Sequence, residues 1–175
     1  ELFCGILLQN ELDSLQWLEG AYSVLKNGHQ SSLLIQTLTQ WTKQPNANRI
    51  PIHRLWKPIA RISRKALVGS SLPEVAIEHW KRAIAEDQIA DAKYLIQSLS
   101  KFNQTATLQC LTDGALNKNN PENIRIDCLL GLQKNDAFDA HQLLPLLQNE
   151  SSRIIALTIA IIAPKCYEQI VMYYA

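Results

Sequence analysis

Two stretches decide the fold: Asn123-Ile124-Arg125-Ile126-Asp127-Cys128-Leu129-Leu130 and Ser151-Ser152-Arg153-Ile154-Ile155-Ala156-Leu157-Thr158. Laid over each other they match Arg125 to Arg153, Cys128 to Ala156 and Leu129 to Leu157, an offset of 28 residues. Between them lies Ala140-His141-Gln142-Leu143-Leu144-Pro145-Leu146-Leu147-Gln148, a short apolar segment with a proline near its middle. A fixed step of this size is the mark of a helical unit that buries its apolar face only against the next unit.

Working outward, apolar residues recur at three- and four-residue intervals along nearly the whole chain, and no segment shows sustained strand alternation between hairpin turns. The pattern predicts an all-α protein. Helices are expected at about Leu2–Leu8, Glu11–Lys26, Ser32–Thr42, Ile52–Val68, Pro73–Glu86, Ile89–Lys101, Thr105–Leu116, Pro121–Leu132, Asp136–Gln148, Ser152–Ala163 and Lys165–Tyr174. Breakers stand between them: Asn27-Gly28, Gln44-Pro45-Asn46-Ala47-Asn48, Ser70-Ser71-Leu72-Pro73-Glu74 and Lys118-Asn119-Asn120-Pro121-Glu122. Connections this short lay successive helices antiparallel, so the expected architecture is a set of antiparallel helix pairs stacked as an α-solenoid.

Over residues 121–165 the chain resembles HEAT-like repeats of the short kind first described in phycobilin lyases. Their units pair a helix bearing an early arginine, as at Arg125 and Arg153, with a second helix ending in a Leu-Leu-Pro-Leu-Leu run, as at Leu143–Leu147. The chain departs from that pattern at Asn149-Glu150, where such repeats often carry aspartates, and the likeness fades upstream. The resemblance implies a curved superhelix used as a scaffold, with no particular activity attached. The domain reading is a single all-α domain over 1–175, with divergent helices in 1–70 and HEAT-like repeats in 73–175.

The 175 residues suffice for one substantial core, and 47% apolar with 19% charged residues is an ordinary globular composition. The formal net charge of +1 argues against a uniformly basic nucleic-acid binder, but the charge is unevenly placed. Arg49, Arg54, Lys57, Arg61, Arg64 and Lys65 put six cations into seventeen residues with no acid among them, so the other eleven cations face sixteen acids. At about 100° per residue, Arg54, Lys57, Arg61, Arg64 and Lys65 fall on one side of a helix, opposite Ile52, Leu55, Trp56, Ile59, Ile62 and Ala66. Pro58 interrupts that helix. The stripe reads either as an anion site for phosphate backbone, acidic protein or lipid headgroup, or as a solvated face paired with acids such as Glu78, Glu86, Asp87 or Asp91.

Motifs that carry catalysis are missing from the sequence: there is no GxSxG, no phosphate-cradling glycine loop and no dinucleotide fingerprint among six scattered glycines. The carboxylates Glu11 and Asp13, Glu86, Asp87 and Asp91, and Asp136 and Asp139 sit where helix caps and solvated faces are expected. His29, His53, His79 and His141 show neither HxxxH nor HExxH spacing, so no metal and no cofactor is implied. His79-Trp80-Lys81-Arg82 offers a stacking patch, although Trp80 at helical spacing with Val75, Ile77 and Ile84 favours a core position. Cys4, Cys110, Cys128 and Cys166 form no CxxC pair, which points to a reduced cytoplasmic protein. The Asn103-Gln104-Thr105 and Asn149-Glu150-Ser151 sequons are read as chance.

The expected function is a non-catalytic scaffold binding another protein. A second reading is a nucleic-acid-binding or base-processing protein using the Arg54–Lys65 stripe. The alkylpurine DNA glycosylases resemble this architecture and use tryptophans, an aspartate and arginines on a basic face, which Trp56 beside Arg54, Lys57 and Arg61 echoes without any catalytic residue carrying over. A third is a structural domain of a larger protein, suggested by apolar ends at Leu2, Phe3, Ile6 and Leu7 and at Ile170–Tyr174 that invite self-association. The longest apolar run, Ile154–Ala163, falls short of the about 20 residues that span a bilayer, so no membrane span is expected.

Overall fold

The computed structural model describes Trp56 and residues 72–135, 137–148 and 150–174. Every regular element among these is helical, as the periodicity predicts: α1 (Leu72–Ala85), α2 (Ile89–Phe102), α3 (Thr105–Leu116), α4 (Glu122–Gln133), a 3-10 helix η1 (Ala140–Leu147) and α5 (Ser152–Tyr174). The helices expected over 2–8, 11–26, 32–42 and 52–68 lie outside the described residues, save for Trp56.

Each boundary has a local cause. In α1, Pro73 occupies the first turn, where its missing N–H costs nothing, and Leu72, Ala76, His79, Trp80 and Ala83 form the buried stripe. The helix ends as Asp87 turns left-handed at φ 56°, with Gln88 N–H donating to Ala83 O at 2.8 Å and Asp87 N–H to Ile84 O at 3.2 Å. That pairing is a Schellman closure, here without glycine. Asn103, at φ 50° and ψ 32°, ends α2 in the same conformation. Asparagine and aspartate tolerate the left-handed region better than other non-glycine residues. Between α3 and α4, the buried Asn120 donates Nδ2 to Gly114 O at 2.9 Å and ties the loop to the helix it leaves.

One element differs from the sequence expectation, because of proline. The helix expected over Asp136–Gln148 is shorter and 3-10, running from Ala140 with Asp139 Oδ1 accepting the His141 N–H at 3.0 Å. Pro145 removes the N–H an α-helix would bond to His141, while the buried set Ala140, Leu143 and Leu146 has the three-residue period that a 3-10 turn places on one edge. The two helices expected on either side of Pro164 are both present, and α5 is the pair of them joined across a kink with non-helical dihedrals at Cys166 (φ −132°, ψ 32°).

The contacts follow a regular plan. The most extensive pairings are α1 with α2, α3 with α4, and η1 with α5. Crosswise, α2, α4 and α5 touch in sequence, as do α1, α3 and η1. One continuous core from Trp56 to Ile170 runs between these two rows. Within it at Gly114 an added Cβ would stand 2.8 Å from Cys128 Sγ and 2.9 Å from Trp80 Cη2. Glycine there lets α3 approach both α1 and α4.

Candidate functional site

The basic stripe lies outside the described residues: Arg54, Lys57, Arg61, Arg64 and Lys65, with Arg49 and His53 beside them. Trp56, in the middle of that stretch, is described, and its seat connects the stretch to the helical rows. The indole is fully buried. Its Nε1–H donates to His79 Nδ1 on α1 at 3.0 Å, the two rings meet edge to face at 5.7 Å, and its backbone carbonyl accepts from Ser98 Oγ on α2 at 3.4 Å. Trp56 is buried, as its place in the apolar set of the sequence indicated. Acceptance at Nδ1 puts the imidazole proton on Nε2 and requires a neutral ring. Burial, with Arg82 nearby, lowers the His79 pKa from 6.5 to about 4, while Glu78 acts weakly the other way. His79 and Trp80 are therefore core residues, and the stacking patch read from His79-Trp80-Lys81-Arg82 does not form around those two rings.

A second polar cluster joins α3, α4 and the start of α5. Arg125 is 6% exposed, donates Nε to Ala115 O at 2.8 Å and pairs through Nη1 with Glu150 Oε2 at 2.8 Å. Lys118 Nζ stands 3.6 Å from the other Glu150 oxygen. The Arg125 hydrogen bond is the main cause holding the Glu150 carboxyl below its ordinary pKa, against the opposing effect of burial. Nearby, Ser151 Oγ caps α5 by accepting from Ile154 N–H at 3.3 Å and donates to Glu122 Oε1 at 2.8 Å. The sequon residues Glu150 and Ser151 are thus committed to internal bonds. Arg153, aligned with Arg125, is exposed. The 28-residue step repeats the helix but not the clamp.

The remaining chemistry-bearing residues are dispersed. Cys110, Cys128 and Cys166 are buried free thiols; burial pushes Cys110 up to about 11 and raises the other two as well. Cys166 Sγ lies 3.8 Å from His141 Nδ1, and Lys165 Nζ sits 4.2 Å over the Phe138 ring while bonding the Phe138 carbonyl at 3.4 Å. Among the described residues no three His, Cys, Asp or Glu side chains gather as a metal site. Asp139 is a cap, Lys93 pairs with Asp127 at 3.8 Å across α2 and α4, and Glu86 accepts from Gln88 Nε2 at 2.9 Å.

Exposed large apolar residues among those described gather on α5. Tyr167, Val171 and Met172 are exposed there, Tyr167 by 69% and Met172 by 76%, and the only other exposed large apolar residue among those described is Leu130. Because α5 runs through Pro164, the stretch Ser152–Met172 reaches 21 residues with a mean hydropathy of 1.6, long and apolar enough to cross a membrane by length and composition. The sequence reading counted only the ten residues before Pro164. Lys165 and Glu168 interrupt the stretch, and its inner side packs on η1 and α4.

No family model matches the chain, and no curated protein or solved structure matches it significantly.

Proposed function

We propose that this chain is a non-catalytic helical-repeat scaffold, built of antiparallel helix pairs stacked as a HEAT-like α-solenoid, that binds another protein. The observation that carries the reading is the two-row contact plan: α2, α4 and α5 touch in order on one side and α1, α3 and η1 on the other, while each helix of the first row packs most extensively on the helix preceding it in the chain. Units that contact only their neighbours generate such a plan. The links between α1, α2 and α3 are two or three residues long, which reverses the chain direction at each step. Arg125, bonded to the end of α3 and to Glu150 ahead of α5, supports the reading by tying three successive steps together. The contact surface is the exposed side of one row or the Arg54–Lys65 stripe, which Trp56 tethers to α1 and α2.

The test is affinity capture from native lysate with the 175-residue chain and with an Arg54→Glu, Lys57→Glu, Arg61→Glu variant, each with and without nuclease. A protein retained through nuclease treatment and lost by the variant supports the scaffold and places its contact on the stripe. Retention of nucleic acid alone, with affinity falling steeply in salt, would replace the scaffold with the nucleic-acid reading.

A further inference from the structure

We draw no further inference here: the strongest candidate, the exposed apolar patch of Tyr167, Val171 and Met172 on α5 beyond the kink at Cys166, carries none, because nothing in the structure shows what covers it.

Discussion

Gly114 and Gly131 make a matched pair of tests for how the helices pack. Both are buried helical glycines, one in α3 and one in α4, and neither has a positive φ, so alanine is acceptable to the backbone at both. In an exposed helix each Gly→Ala change would stabilise by up to about 1 kcal/mol through propensity. The surroundings decide otherwise. A Cβ at 114 would meet Cys128 Sγ at 2.8 Å and two Trp80 ring atoms at 2.9 and 3.0 Å, and the indole is a rigid plane that moves only as a whole. Overpacking of this kind costs about 1–3 kcal/mol, so Gly114→Ala should be destabilising by about 1–2 kcal/mol net. At 131 the nearest atom is Leu111 Cδ1 at 3.3 Å, the flexible end of a side chain, and Gly131→Ala should fall within about 0.5 kcal/mol of wild type. Urea denaturation followed by circular dichroism measures both. Equal effects at the two positions would refute the argument that α1, α3 and α4 converge at Gly114.

Three further outcomes follow from the polar groups. His79 must be neutral in the native state, and its pKa falls from 6.5 to about 4 on folding, so the unfolded chain binds the extra proton between those values; stability is full above about pH 6.5 and declines as pH falls toward 4, by about 3 kcal/mol at most. His79→Gln should flatten that part of the stability–pH curve, and an unchanged curve would exclude the Trp56 bond as its cause. Arg125→Met strands the buried Glu150 carboxylate and should cost about 3–5 kcal/mol in chemical denaturation, while the Arg125→Met, Glu150→Met double change recovers part of that loss; strict additivity of the two single changes would count against the pair. Cys110, Cys128 and Cys166 should resist a thiol reagent at pH 8 in a Cys4→Ser chain until urea unfolds it, and rapid labelling of any of the three in the native protein would contradict their burial and raised pKa values.

Much of the helical layout was legible because helix periodicity and proline are local signals. The expected Thr105–Leu116 agrees with α3 at both ends, and the others in the described part agree within a residue or two apart from η1, with α5 the two expected helices met at a kink. That exception arises because proline admits more than one outcome: Pro145 converts a helix to 3-10 instead of ending it, whereas near Pro164 the two expected helices meet at a kink. The candidate site was less legible. The cation stripe was found by counting charges, yet nothing local to Trp56 announces His79 and Ser98, which lie 23 and 42 residues away. Nothing local to Glu150 announced that its carboxylate would pair with the buried Arg125, 25 residues away.

By itself the sequence determined that the described part of this protein is helical and where nearly every helix begins, since caps, prolines and a three-to-four-residue apolar period act within a few residues of themselves. It also set the chemistry at hand, with no catalytic motif and six cations without an acid over residues 49–65. Tertiary structure alone decided which polar groups became core, as with the imidazole under Trp56 and the Arg125 pair, and which apolar groups remained outside, as with Tyr167, Val171 and Met172. The physical reason is that burial is a property of helix faces brought together from distant parts of the chain. The same arginine is sealed inside at 125 and open to water at 153 because α3 and Glu150 close over the first and nothing within the described chain closes over the second.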